Sequence, residues 1–309
     1  MPSPSYHTFR HEAMLSPWQI LISAEDPTYA AQAADAAFAE VDLIEGAISR
    51  FIDTSDVARI NAAPPGTPVK VGEHAIECLK TAARLSQATA GAFDVTVGPL
   101  ILVWRNPDKS PRTPSPEELD AARARVGMHL LEIDQTAMTV RAKVDGVKID
   151  LGGIGKGYGA DRAADVLRDW GIERALVSAG TSTVLAIDAP EGEQGWPIGV
   201  GGVGAEPEAP YTLTLRNGSL SGSGVYAKGS HIIDPHTGKP VQNRLAAWAL
   251  AATGADADAL STAFMIMTPE KIQAYTKTHP DTSAMIAEKR NSQIQRLKFG
   301  PWTGLKDTV

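Results

Sequence analysis

The sequence predicts an α+β fold. Helical and strand patterns are mixed along the chain, and several adjacent strands are joined by links of hairpin length. A doubly wound sheet would instead need a crossover connection between each pair of parallel strands. No internal repeat, low-complexity tract or linker divides the 309 residues. The reading is one domain over residues 1–309, either undivided or in two lobes.

The elements follow from local signals. Trp18 to Ser23 reads as the first strand. Asp26-Pro27 supplies an N-cap and first-position proline for a long helix to about Ser49. Ala34, Phe38, Val41, Ile44 and Ile48 fall on one face of that helix. Phe51 to Asn61 is expected as a polar connector carrying Asp53, Asp56 and Arg59. Val69 to Val71 is a strand and Glu73 to about Ala90 a second helix, broken at Gly91. Residues 105 to 116 hold four prolines and read as a surface loop. Ser115 with Glu118 forms a capping box for a helix from Pro116 to Val126. Leu130 to Ile133, Met138 to Arg141 and Val147 to Ile149 are expected as a three-stranded meander.

A helix is expected from about Gly159 to Trp170, with Gly171 closing it. Strands follow at 175–178, 184–187, 197–200, 212–215 and 219–221, with a loose loop at 201–210. Another apolar strand spans 246–251, and a buried helix 257–267. Thr268-Pro269-Glu270 opens a last helix to about Thr278, and strands at 283–287 and 295–299 end the pattern.

Composition narrows the function. An apolar content of 43% is ample for a core. The formal charge of −7 argues against a general nucleic-acid binder, which needs basic surface. Cys78 is the one cysteine, which excludes an intrachain disulfide and a cysteine metal cluster. Met1 to Met14 has no apolar core of a secretory signal, and no apolar run reaches about 18 residues. Asp256 and Asp258 interrupt the nearest candidate for a membrane span, Leu245 to Met267. A cytoplasmic protein is expected.

Four places carry chemistry. Asp150-Leu-Gly-Gly-Ile-Gly-Lys-Gly-Tyr158 follows an apolar strand pattern and enters a helix. Its glycines bare backbone amides at a helix start, which suits phosphate, and Lys156 adds a cation. It fits neither G-x-G-x-x-G nor the P-loop, and a tight strand-to-helix turn explains the glycines as well. In Ala255 to Thr262, Asp258 and Thr262 are four apart on one helical face beside Ser261. Carboxylate plus hydroxyls is an oxygen set suited to Mg²⁺. Equally, Asp256 can be an N-cap and Asp258 a first-turn charge. His231-Ile-Ile-Asp-Pro-His-Thr-Gly238 puts an imidazole at a strand start before a turn, as a proton acceptor or a hydrogen-bonded structural histidine. Thr89 to Leu100 ends a helix in glycine and projects Phe93 and Asp94, either to wall an aromatic ligand or to anchor a loop.

Taken in order, Ser49-Arg50-Phe51 with Asp56 to Asn61, Gly91-Ala92-Phe93-Asp94 to Leu100, Asp150 to Tyr158, His231-Ile-Ile-Asp-Pro and Ala257-Asp258-Ala259-Leu260-Ser261-Thr262-Ala263 resemble the ApbE family, over about residues 14 to 267. That family comprises Mg-dependent FAD:protein FMN transferases, with some FAD pyrophosphatases. The resemblance implies a T-fold-like arrangement of largely antiparallel sheets packed with helices around an FAD cleft. It implies FAD contacts from Met14, Phe51, Ala92, Phe93, Asp94, Asp150, Lys156 and Ile232. It implies Mg²⁺ ligation by the Gly153 carbonyl with Asp258, Ser261 and Thr262, and His231 as the base. FMN would pass from FAD to a Thr or Ser of an acceptor flavoprotein, with AMP leaving. The alternatives are hydrolysis of FAD to FMN and AMP, or flavin binding without catalysis. Where the family usually has Gly-Gly-Asp or Gly-Gly-Asn after the strand at 175–179, this chain has Gly180-Thr181-Ser182-Thr183. Many relatives are exported or lipid-anchored, whereas no signal or lipobox cysteine is present here, so an intracellular target is expected.

Overall fold

The computed structural model describes residues 6–308 except 109, 205–208, 226–231, 243 and 292. Its first elements are β1 (His7–Ala13), β2 (Ser16–Ile22), α1 (Pro27–Ile48), α2 (Asp56–Ala62), β3 (Val69–Lys70), α3 (Glu73–Ala88), α4 (Gly98–Val103) and α5 (Pro116–Arg123). Then come β4 (Leu131–Asp134), β5 (Thr139–Ala142), α6 (Gly155–Asp169), β6 (Ala175–Ala179), β7 (Thr183–Ile187), β8 (Trp196–Val200) and β9 (Tyr211–Leu215). The last are β10 (Gly218–Gly224), β11 (Arg244–Ala251), α7 (Gly254–Ile266), α8 (Pro269–Thr278), β12 (Ser283–Arg290), β13 (Gln293–Phe299) and β14 (Leu305–Asp307). Mixed helices and antiparallel sheets make this the expected α+β class.

The chain forms two compact units. The first holds Met1–Leu43, Gly155–Ala227 and Asn243–Val309; the second holds Ile44–Ile154 and Lys228–Gln242. The first unit is built on an eight-stranded sheet in the order β1-β2-β6-β7-β10-β11-β12-β13, antiparallel throughout. Its alternation sorts side chains to two faces. Trp18, Ile20, Ile22, Val177, Leu185 and Ile187 meet the alanine rows of α1 and α6 on one side. Leu176, Ala186, Leu220 and Met285 meet Trp196, Leu213 and Leu215 of a small β14-β9-β8 sheet on the other. Alanines at 30, 33, 34, 37, 160, 163 and 164 are fully buried, so these helices lie close on the sheet. Each large aliphatic side chain so covered contributes about 1.5–3 kcal/mol.

The second unit combines α2 to α5 with a small β3-β5-β4 sheet. Leu100, Ala122 and Ile233 form a core there, with Trp104 and Leu119 against it. Trp104 Nε1 donates to the Gly238 carbonyl at 2.7 Å, tying α4 to the turn that follows Asp234.

Several elements depart from expectation. A strand precedes the expected first one: β1 pairs with β2 through a two-residue turn, Met14 (φ 52°) and Leu15 (φ 54°). Such a turn requires positive φ at both positions, and no Asn-Gly or Asp-Gly advertises it. Part of the expected connector at 51–61 is helix α2, because the Ser55 side chain accepts from the Ala58 amide at 3.0 Å. Residues 147–149 form no strand; Lys148 makes only an isolated parallel bridge to Val97, and β3 completes the small sheet instead. Helix α6 begins at Gly155, four residues before the expected start. Helix α7 starts at Gly254 with Thr253, not Asp256, as its N-cap. Strand β14 and helix α4 stand outside the elements expected from the sequence. The capping box at Ser115, the N-cap at Thr268 and the glycine stop at Gly171 (φ 71°) are all present. Among the described residues no helix is long and apolar enough to cross a membrane.

Candidate active site

In the first unit, α6 and α7 meet at their N-terminal turns, and the contact leaves no room for side chains. A Cβ on Gly157 would lie 2.0 Å from the Gly254 carbonyl oxygen, and one on Gly254 2.4 Å from the Gly157 oxygen. Gly157, expected in a phosphate cradle or a tight turn, is therefore a residue that a neighbouring helix demands. The approach lets the Gly157 amide donate to Asp258 Oδ2 at 3.0 Å.

Asp258 is the centre of an oxygen cluster. It is 3% exposed, and among the described residues no cation pairs with it. Its Oδ1 accepts from Ser221 Oγ at 3.3 Å, and Ser221 in turn meets Thr183 Oγ1 at 2.9 Å. Ser261 Oγ donates to the Asp258 carbonyl at 2.8 Å. Ser223 Oγ lies 2.8 Å from Ser261 Oγ and 3.2 Å from Thr262 Oγ1. Ser221 and Ser223 share one face of β10, so a strand supplies two hydroxyls to a helix that supplies two more. A buried carboxylate without a cation is costly, and a divalent ion is one way to balance it. One carboxylate with hydroxyls matches a hard ion that keeps waters and takes the rest of its shell from substrate. The residues fit Mg²⁺.

Lys156 and Met14 lie in the same unit. Lys156 is half-buried beside the Gly180 turn, with its Cδ 4.0 Å from where a Gly180 Cβ would stand, and makes no ion pair among the described residues. Met14 reaches α6 at Gly159, its Cε 3.3 Å from where a Cβ there would stand. The departing loop therefore begins beside Lys156: Gly180 is left-handed (φ 63°), and Thr183 joins the hydroxyl chain that reaches Asp258.

The second unit holds the other expected residues. Asp150 Oδ2 lies 3.0 Å from Arg50 Nε, and the same guanidinium stands 4.3 Å over the Phe51 ring. Phe51 is 63% exposed, an aromatic face turned to solvent. Asn61 pins the backbone before Asp150, accepting from the Ile149 amide at 2.6 Å and donating to its carbonyl at 2.9 Å. Asp150 Oδ1 accepts the Gly152 amide at 2.9 Å, and Gly153 follows, half-buried. Ala92 and Phe93 are buried. Asp94 is committed to its own loop: Oδ1 takes the Thr96 amide and hydroxyl at 2.8 and 2.5 Å, and Oδ2 the Met128 amide at 3.1 Å. It borders a cavity of about 390 Å³ with Ser86, Gly91, His129 and His236. His236 Nε2 lies 2.9 Å from the Ala90 carbonyl. Ile232 is buried, its carbonyl accepting from Val241 at 2.9 Å, while His231 lies outside the described residues.

The structure thus gathers Asp258, Ser261 and Thr262 with the start of α6 in one unit. It gathers Phe51 and Asp150 in the other, and ties the Asp94 loop to them, since the Asp150 amide donates to the Val95 carbonyl at 2.7 Å. Arg50, part of the Ser49-Arg50-Phe51 motif, had no expected role and is the partner of Asp150. Ser221, Ser223 and Asp161 were not expected at all. Asp161 accepts the Gly254 and Ala255 amides at 2.6 and 2.8 Å, and burial raises its pKa to about 6.

Comparison with known proteins places this arrangement. The family model described as "ApbE family" matches residues 14–286. The chain is similar to a FAD:protein FMN transferase of Klebsiella pneumoniae (strain 342), 32% identical over 270 residues, covering 83% of this chain and 77% of that one. It is also similar to the FAD:protein FMN transferase of Escherichia coli K12, 30% identical with coverage of 89% and 82%. Among solved structures, the ApbE protein of Thermotoga maritima superposes with a TM-score of 0.83 at 30% identity, covering 94% of this chain and 97% of that chain. The apo flavinyl transferase ApbE of Pseudomonas stutzeri gives 0.84 at 25% identity, with coverage of 96% and 95%. By family model, identity and fold together, this chain belongs to the ApbE family.

Proposed function

We propose that this protein is an Mg²⁺-dependent FAD:protein FMN transferase, acting on a Thr or Ser of an acceptor protein and releasing AMP. The observation that carries the reading is the buried Asp258 carboxylate, which takes one serine hydroxyl and one amide and lacks a cation partner among the described residues, with the hydroxyls of Ser223, Ser261 and Thr262 clustered together in the same unit. Its family relatives bear the name of that activity.

In this reading Asp258, Ser261 and Thr262 hold Mg²⁺ together with the carbonyl of Gly153, four residues ahead of Gly157 in the chain. When bound, the ion neutralises the diphosphate and stabilises charge on the transferring phosphoryl group. Lys156 adds a further positive charge against the diphosphate. Met14, Phe51, Ala92, Phe93, Asp94, Asp150 and Ile232 serve the FAD; Phe51 offers an exposed ring, and Asp94 acts by holding its loop in shape. His231 accepts the proton of the attacking hydroxyl. The acceptor oxygen bonds to the FMN-side phosphorus, that phosphorus parts from the bridging oxygen, and AMP leaves with it. Transfer of this kind depends on positioning and charge more than on covalent help from the protein.

The test is incubation with FAD, Mg²⁺ and a threonine-bearing acceptor domain. AMP release together with a fluorescent acceptor band on a denaturing gel is expected. AMP without a labelled acceptor identifies water as the acceptor; neither product removes the proposal.

A further inference from the structure

The contact between α6 and α7 is reciprocal. The amide of Gly157, in the first turn of α6, goes to the carboxylate of Asp258 on α7. The first two amides of α7, Gly254 and Ala255, go to the carboxylate of Asp161 on α6, one to each oxygen. The next α7 amide, Asp256, is held by the cap side chain, Thr253 Oγ1, at 3.2 Å, and Ala257 makes the first i→i−4 bond of the helix, to the Thr253 carbonyl at 3.1 Å. The first amides of a helix have no intrahelical partner, and of the three in α7 that precede this bond Asp161 accepts two.

From this geometry we infer that Asp161 is a positioning residue for the metal-binding face of α7. A carboxylate that grips two successive amides resists both rotation and sliding of the helix. One residue of slippage moves the helix about 1.5 Å along its axis and turns it by about 100°. Either motion parts Asp258 from the Gly157 amide and turns Ser261 and Thr262 away from Ser223. The van der Waals contact of Gly157 and Gly254 bars closer approach, while Asp161 bars separation, so Asp258 is held at one height and one azimuth. A residue at this remove from the ion acts as outer partners of metal ligands do, typically through about 10–100-fold of affinity.

The inference rests on the metal site proposed above, and the test separates the two. The probe is Mn²⁺ alone, titrated into the whole chain and followed by the electron paramagnetic resonance signal of the free ion. Asp161→Ala is expected to weaken Mn²⁺ binding by about 100-fold, and Asp161→Asn, which keeps one acceptor, by about 10-fold. In turnover, the Mg²⁺ concentration for half-maximal rate should rise while kcat at saturating Mg²⁺ is retained. Arg244→Ala is the control. Arg244 grips the far end of α7, with Nη1 donating to the Phe264 and Met267 carbonyls, so its loss loosens the same helix away from the ligands. It should lower Tm and leave Mn²⁺ affinity unchanged. Wild-type affinity in Asp161→Asn, or equal weakening in Arg244→Ala, overturns the positioning role while the metal site stands. No Mn²⁺ binding by the wild-type protein overturns the metal site and this role with it.

Discussion

Gly157→Ala adds one methyl group, and the structure places it against backbone on every side. Its Cβ would stand 2.0 Å from the Gly254 oxygen, 2.4 Å from the Gly254 carbon and 2.8 Å from the Ala255 nitrogen. Ordinary contact begins at 3.4 Å, so α6 and α7 must part by roughly 1.4 Å at this point, with no side chain able to rotate aside. Overpacking of this kind costs about 1–3 kcal/mol. The Gly157 amide then leaves the Asp258 carboxylate, and a lost hydrogen bond to a charged group costs about 1.5–3 kcal/mol more. Alanine returns about 1 kcal/mol through helix propensity. The net loss of about 1.5–5 kcal/mol corresponds, for a chain of 309 residues, to a fall in Tm of about 2–8 °C. Gly46→Ala is the paired measurement: Gly46 lies in α1, an added methyl there would meet nothing within 4 Å, and the variant should gain about 0.5–1 kcal/mol. Scanning calorimetry on both variants decides the matter. A Gly157→Ala protein that melts within about 1 °C of wild type refutes the close helix contact from which the site geometry is argued.

Other perturbations follow from the same structure. Burial raises the Asp161 pKa from 3.8 to about 6, so the folded state binds a proton that the unfolded state has released. Its contribution is present below pH 4 and is lost as pH rises through about 6, a decline of about 3 kcal/mol from a shift of about two units. Denaturant unfolding from pH 4 to 7 should show that decline in the wild type and its absence in Asp161→Asn; parallel curves contradict the assignment. Arg244→Ala should cost about 2–4 kcal/mol, because it strips the Phe264 and Met267 carbonyls at the end of α7 of their buried donor and takes from Glu288 its partner at 2.8 Å, leaving it Arg290 at 3.1 Å. A loss under about 1 kcal/mol in urea would count against it. Lys156→Ala should weaken FAD binding, read by fluorescence titration, with Tm unchanged, since the side chain makes no ion pair among the described residues. Unaltered affinity would mean that Lys156 takes no part in holding FAD.

Much of this was legible in local chemistry. Asp26-Pro27, Ser115 with Glu118, Thr268-Pro269 and Gly171 mark helix ends by side chains acting within a few residues, and those ends stand where expected. The hairpin of β1 was hidden because its turn is Met14-Leu15, residues that seldom accept positive φ, and its inward face carries two histidines. The early starts of α6 and α7 were hidden because glycine usually argues against a helix. Here the glycines are required by a helix about 100 residues away in the chain. For the site, Asp258, Ser261 and Thr262 could be found because one helical period aligns them. Ser221, Ser223 and Asp161 could not, since each acts across the fold from a strand or helix that has no motif of its own. Asn61 and Arg50 sit within the motifs that carry the family resemblance, yet only the fold pairs them with Ile149 and Asp150.

The most direct measurement is the intact mass of a threonine-bearing acceptor after incubation with FAD, Mg²⁺ and either the wild-type protein or Asp258→Ala. The acceptor should gain one FMN less one water with the wild type, and remain unmodified with Asp258→Ala or when the divalent ion is chelated. Modification by Asp258→Ala at the wild-type rate, or by the wild type in the presence of chelator, would contradict the account.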